Sequence, residues 1–140
     1  MSYAGDITPL EAWKILSDNP RAVLVDVRTD AEWRFVGVPD LSSLGRDVVY
    51  IEWNTSDGKR NENFLAELKD QVPPGDGEEE RPVLFLCRSG NRSIGAAETA
   101  TEAGITPAYN VLDGFEGQLN AEGHRGETGW RATGLPWTQK

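Results

Sequence analysis

Residues 82–104 read PVLFLCRSGNRSIGAAETATEAG. The apolar run from Pro82 to Cys87 is typical of a strand in a parallel sheet that is covered on both faces. Residues 93–103 are rich in alanine and predict a helix, which Gly104 ends. Because a buried strand is followed by a polar loop and a helix, the segment indicates one unit of an α/β sheet.

Helices and strands alternate along the rest of the chain in the same way. The segment Thr8-Pro9-Leu10-Glu11 has a cap residue, a proline at the first helical position and a glutamate three residues after the cap. It predicts a helix that ends by Asn19. The other expected elements are strands at 22–27, 48–53 and 108–112 and helices at 29–34 and 63–69. This alternation predicts a single α/β domain over residues 1–140, with an open, mostly parallel sheet.

Composition and charge restrict the class of protein. The 140 residues are 38% hydrophobic and 26% charged, an ordinary balance for a globular domain. The net charge of −9 argues against binding to nucleic acids or anionic membranes. One cysteine and one histidine exclude an intrachain disulfide and a metal site built from several such ligands. With no visible signal peptide and no apolar run of about 18 residues, the sequence predicts a soluble, cytoplasmic protein without metal or cofactor.

The loop after the buried strand, CRSGNRS at 87–93, holds the residues that can do chemistry. A loop in this position can curl so that successive backbone N–H groups point inward and bind an anion. Gly90 and Asn91 tolerate the positive φ that a tight curl requires. The following helix, for which Ser93 is a suitable cap, adds free N–H groups and its positive dipole end. We expect this arrangement to stabilise a thiolate at Cys87, or a negatively charged sulfur added to it.

Charge is unevenly distributed around this loop. Arg81, Arg88 and Arg92 lie in or beside it, with no acidic residue between them. Residues 61–80 instead contain seven acidic residues and one lysine, and an acidic connecting loop is expected at 73–80. The sequence therefore predicts a basic mouth that attracts small anions, on an acidic body.

Three motifs, in order along the chain, resemble those of the rhodanese family of sulfurtransferases. LCRSGNRS at 86–93 is similar to the active-site loop of that family. LVDVR at 24–28, followed by Glu32-Trp33, is similar to its N-terminal signature, and NVLDGF at 110–115 to the strand and turn after its catalytic helix. The resemblance covers about residues 7–137.

The resemblance implies a rhodanese-like sheet of about five strands with helices on both faces. It also implies that Cys87 is catalytic, taking a sulfane sulfur from a small anionic donor, such as thiosulfate or a persulfide, and passing it to a thiol or protein acceptor. Asp26 and Arg28 would support the site by bracing the neighbouring strand end and helix. The implied substrate-binding residues are Arg88, Ser89, Gly90, Asn91, Arg92 and Ser93. One departure is that residues 37–41 read GVPDL, where relatives carry Gly-His-Ile-Pro-Gly-Ala, so the family histidine is absent.

Other functions fit the same residues less well. A non-catalytic rhodanese-like module that binds or regulates a partner is the main alternative, although such modules often lack the cysteine. A Cdc25-type phosphatase has five residues between cysteine and arginine, whereas Cys87 and Arg92 are separated by four. A phosphate needs a wider ring of amides than a single sulfur does. An arsenate reductase would need a second cysteine to resolve its intermediate within the chain.

Overall fold

The structure is a computed structural model that describes residues 3–55, 57–72 and 81–139. The acidic loop expected at 73–80 lies outside these residues. The elements in chain order are β1 (Gly5–Ile7), α1 (Pro9–Asp18), β2 (Val23–Asp26), α2 (Asp30–Phe35), β3 (Val38–Pro39), a short 3₁₀ turn (Ser42–Leu44), β4 (Val49–Tyr50), α3 (Phe64–Gln71), β5 (Val83–Leu86), α4 (Arg92–Glu102), β6 (Ala108–Val111) and β7 (Trp137–Thr138).

Five strands form one parallel sheet in the order β1-β6-β5-β2-β4. The strand β5, which contains most of the apolar run noted in the sequence, lies at the centre between β6 and β2. The predicted α/β fold, with a mostly parallel sheet of about five strands, is confirmed.

Side chains of β5 alternate between two hydrophobic clusters, as the period of two in a strand requires. Val83, Phe85 and Cys87 belong to the cluster that α3 and α4 cover. Leu84 and Leu86 belong to the other cluster, which α1 and the C-terminal segment cover. Burying each valine, leucine or phenylalanine side chain contributes about 1.5–3 kcal/mol. A charged side chain anywhere in β5 would therefore have to lie in one of the two cores.

The helix starts follow the local signals in the sequence. Thr8 and Thr29 each accept a hydrogen bond from the backbone N–H of a glutamate three residues later, and the side chain of that glutamate accepts one from the backbone N–H of the threonine. These two capping boxes begin α1 and α2. The prediction for the start of α1, including proline at its first position, is confirmed.

β4 is shorter than the strand expected at 48–53. Beyond it, the N–H groups of Ile51 and Trp53 still donate to the carbonyl groups of Asp26 and Val27. The segment thus continues along the edge of the sheet in irregular conformation, and the side chain of Trp53 lies in the core.

Two pairings were not expected from the sequence. β1 adds an edge strand beside β6, and β3 pairs antiparallel with β7 near the C-terminus. Gly37 makes room for the second pairing, since a Cβ there would lie 2.8 Å from the Trp137 ring. Within the described ranges, no helix is long and apolar enough to cross a bilayer.

Candidate active site

Cys87 comes directly after β5, at the carboxyl edge of the sheet, where α/β proteins bind ligands. Because β5 is the central strand, this position lies deep in the fold, and the residue is only 1% exposed. Residues 88–91 then form the loop that leads into α4.

Two backbone N–H groups converge on the sulfur. The N–H of Gly90 donates to Cys87 Sγ at 3.1 Å and that of Ser93 at 3.4 Å. The Ser93 hydroxyl lies 3.2 Å from the same atom. Because Ser93 is in the first turn of α4, its N–H is one of those that a helix leaves without an internal acceptor. The sulfur therefore sits where partial positive charge favours a negative charge on it.

The loop owes its curl to Gly90. This residue has φ +98°, and a Cβ there would lie 3.1 Å from the backbone nitrogen of Asp113. Asn91, the other residue noted as tolerating a positive φ, has φ −92°. The prediction that Ser93 caps α4 is wrong. Asn91 occupies the cap position, and the hydroxyl of Ser93 turns inward to Cys87 instead.

A second turn holds the beginning of the loop in place. The N–H groups of Phe115 and Glu116 donate to the carbonyl groups of Cys87 and Arg88, at 2.8 and 2.9 Å. Gly114 precedes them with φ +56°, and a Cβ there would overlap the backbone of Cys87 and Arg88. Only glycine allows this close approach, so the turn packs directly against the start of the loop.

Several loop amides remain available. In the part of the chain that the structure describes, the hydrogen bonds do not use the N–H groups of Arg88, Ser89, Asn91 or Arg92. These four groups and the two that contact the sulfur are successive donors around one curl. Such a concave set of donors can bind an anion without any charged side chain.

A chain of hydrogen bonds links the sulfur to β1. The Tyr3 hydroxyl donates to Asp6 at 2.7 Å, and this bond raises the pKa of Tyr3 to about 12. The amide nitrogen of Asn110 donates to the same carboxylate at 2.9 Å, so its oxygen faces Ser93. The Ser93 hydroxyl donates to that oxygen and keeps a lone pair for the S–H of Cys87. The chain of bonds thus orients the hydroxyl so that the thiol can donate a hydrogen bond to it.

Arg92 is held by Glu32 rather than directed to the loop opening. Its guanidinium forms two hydrogen bonds with the carboxylate, at 2.8 and 3.0 Å, and both side chains are less than a quarter exposed. Burial acts to raise the pKa of Glu32, but the hydrogen bond and charge of Arg92 outweigh it and leave that pKa lowered. The pair anchors the start of α4 to α2.

The basic mouth expected from the sequence is not formed. Arg81 precedes β5, whereas Cys87 follows it, so they are on opposite edges of the sheet, about 20 Å apart along an extended strand. Arg88 is half exposed and lies 3.2 Å from the largely buried carboxylate of Glu116. The prediction of a basic mouth is wrong because it counted charges along the sequence and did not include the carboxylates that the fold places beside the arginines.

Asp26 and Arg28 form a fully buried ion pair at the end of β2. Arg28 Nη2 lies 2.6 Å from Asp26 and 2.9 Å from the carbonyl oxygen of Gly37. The guanidinium also stacks on the Phe115 ring, 4.4 Å from its centre. The pair connects β2, the segment after α2 and the turn that supports the loop, without contacting the sulfur.

Sequence reasoning missed four residues that contact the site. Glu32 and Glu116 bind the loop arginines, Gln118 binds the carbonyl of Ser89, and Asn110 binds Ser93. Asn110 alone had a local signal, since it is a polar residue inside an apolar strand. The other three depend on contacts between distant segments.

Removing the charge of Glu32 tests its ion pair with Arg92. A carboxylate with a lowered pKa stabilises the folded protein above its ordinary pKa of about 4.3, and that contribution disappears as the pH falls through the lowered value. Urea unfolding should therefore show Glu32→Gln less stable than the unchanged protein at pH 7, and the difference should shrink as the pH falls below the ordinary pKa of a glutamate. Glutamine preserves the capping box. A difference that does not shrink at all as the pH falls would assign the loss to packing rather than charge.

Comparisons with known proteins show which family the chain resembles. The family model described as the STR4 middle domain matches residues 5–140. The crystal structure of Rv0390 from M. tuberculosis is 79% identical, with a TM-score of 0.91 and coverage of 99% of this chain and 100% of that one. An uncharacterized protein of Rickettsia conorii is 36% identical over 94% of this chain and 95% of its own length. The thiosulfate sulfurtransferase GlpE of Actinobacillus pleuropneumoniae is 27% identical over 94% of this chain and 90% of its own.

Proposed function

Because the chain is a rhodanese-like domain and belongs to the STR4 middle-domain family, we propose that it is a sulfurtransferase that carries sulfur as a persulfide of Cys87. The observation that supports this most is the convergence of the Gly90 and Ser93 N–H groups on Cys87 Sγ. A sulfur that gains negative charge at this point is stabilised by donors that are already in place.

The reaction has two halves. After the thiol proton leaves to solvent, the Cys87 thiolate attacks the outer sulfur of the donor. A sulfur–sulfur bond to Cys87 forms, the donor's bond to that sulfur breaks, and the remainder of the donor leaves with the electron pair. In the second half, a thiophilic acceptor attacks the outer sulfur of the persulfide and regenerates the thiolate.

The loop residues have separate roles in this proposal. The free N–H groups of Arg88, Ser89, Asn91 and Arg92 bind the donor or the outer sulfur, while those of Gly90 and Ser93 hold Sγ. Asp26 and Arg28 support the loop indirectly, because Arg28 stacks on Phe115, whose N–H binds the carbonyl group of Cys87. No general base is required, because the amide donors favour the anionic sulfur directly.

Steady-state kinetics with varied donor and acceptor test the two-step scheme. A covalent carrier predicts ping-pong behaviour, with parallel lines in double-reciprocal plots. Intersecting lines would mean that donor and acceptor bind together, and would contradict the carrier. Hydrolysis of an aryl phosphate, tested in parallel, would favour the phosphatase, and turnover of neither substrate class would favour a binding module.

A further inference from the structure

We propose that the sulfur donor of this site carries at most one negative charge, as an organic persulfide or a thiosulfonate does, and that thiosulfate, a dianion, is a poor donor. The proposal rests on Cys87 acting as a sulfur carrier and specifies only the class of donor. It follows from the charges that surround the loop.

Each arginine of the loop already faces a carboxylate. Arg92 forms a two-fold hydrogen-bonded pair with Glu32, in which each side chain is less than a quarter exposed. Arg88 faces Glu116, whose side chain is only 12% exposed and whose backbone N–H is bonded to the carbonyl group of Arg88. Neither carboxylate can turn away easily, so the charge of each arginine is offset in part before a donor binds.

The other charged groups near the loop are of both signs. Asp113 lies beside Gly90, with backbone atoms in close approach. On the α4 side, Arg60 stacks on Trp53, 3.9 Å from the ring centre, at a groove that extends from the loop along the helix. The same groove is lined by two carboxylates, those of Glu98 and Glu102. Acidic residues thus lie in this groove beside Arg60, on a protein with a net charge of −9.

The two donor classes differ in the charge that they bring. With thiosulfate, the Cys87 thiolate and S–SO₃²⁻ give Cys87–S–S⁻ and sulfite, so three negative charges meet in the transition state. With a neutral persulfide R–S–SH, the thiolate gives Cys87–S–SH and RS⁻, and only one negative charge is present. Total charge and atoms are conserved in both steps.

The amides of the loop can stabilise one negative charge, but they supply only partial charges. An enzyme that uses a dianion generally adds an uncompensated cation to attract it and to offset repulsion from the nucleophile. Here the arginines that would do so are paired with carboxylates. We therefore expect donors of low charge to react faster.

Methanethiosulfonate and thiosulfate form a matched pair of probes, because both carry the outer sulfur on a sulfonyl group and differ by one negative charge. We expect kcat/KM for methanethiosulfonate to exceed that for thiosulfate by about tenfold or more, since like charges close to a site repel by this order. The rate with thiosulfate should not fall as salt is added, because no excess positive charge is being screened. A higher kcat/KM for thiosulfate, or a steep fall with salt, would overturn the proposal.

Glu116→Gln frees the charge of Arg88. The effect should scale with donor charge, so kcat/KM should rise about tenfold for thiosulfate and about threefold for methanethiosulfonate. Asp70→Asn, at an exposed position of α3, removes the same charge elsewhere and should change neither rate. Equal effects on both donors in Glu116→Gln would contradict the proposal. If no donor adds sulfur to Cys87, the proposed function itself fails. If sulfur is added but thiosulfate is the preferred donor, only the proposal on donor charge fails.

Discussion

Replacing Cys87 with serine is expected to abolish sulfur transfer, with a loss on the order of 10³-fold or more, while the protein remains folded. A serine hydroxyl is a poor nucleophile toward sulfur and cannot form a persulfide. Cys87 is the only cysteine in the sequence, so no second thiol can take over its role. The change is small in volume, and the new hydroxyl can use the N–H groups that now contact Sγ.

Transfer rates with a thiosulfonate donor and a thiol acceptor, together with urea unfolding, check this expectation. Ser93→Ala is a useful companion, because it removes the hydroxyl near the sulfur but preserves the backbone N–H. It should reduce transfer less than Cys87→Ser does. Transfer by Cys87→Ser at a rate close to that of the unchanged protein would show that the carrier is not this residue.

Replacing Asp26 with asparagine is expected to lower the free energy of unfolding by about 3–5 kcal/mol. The change leaves the Arg28 charge buried without a carboxylate, because both side chains are completely inaccessible to solvent. Asparagine has nearly the same shape, so the loss reflects charge and hydrogen bonding rather than a cavity. Transfer should also decrease, since Arg28 connects the sheet to the turn beneath the loop through Gly37 and Phe115.

An exposed ion pair provides the matched control. Lys14 and Asp18 are 3.9 Å apart on α1 and are both mostly exposed. Asp18→Asn should therefore change stability by less than about 1 kcal/mol. Chemical unfolding gives the free energy of unfolding of both variants. Similar decreases in the two would mean that burial does not determine the strength of the Asp26–Arg28 pair.

Local signals predicted the parts of the fold that depend on neighbouring residues. The capping box at Thr8, and the strand, loop and helix around Cys87, each lie within one short segment. Position at the end of a buried strand also indicated where the candidate site lies.

Long-range contacts explain what the sequence alone could not predict. Arg92 meets Glu32 across 60 residues, and Asn110 meets Asp6 across 104, so no local pattern connects them. The expected positive charge of the loop depended on free arginines, and the fold pairs them with carboxylates from elsewhere. The prediction that Ser93 caps α4 was also wrong, since the curl at Gly90 turns the Ser93 hydroxyl toward the interior.

Intact-mass measurement after incubation with methanethiosulfonate tests the central claim most directly. The account predicts a gain equal to one sulfur atom, which a thiol reductant removes and which Cys87→Ser does not show. The same experiment with a polysulfide donor guards against a poor choice of probe. A protein whose mass is unchanged with both donors, or a gain that persists in Cys87→Ser, would contradict the proposal that Cys87 carries sulfur as a persulfide.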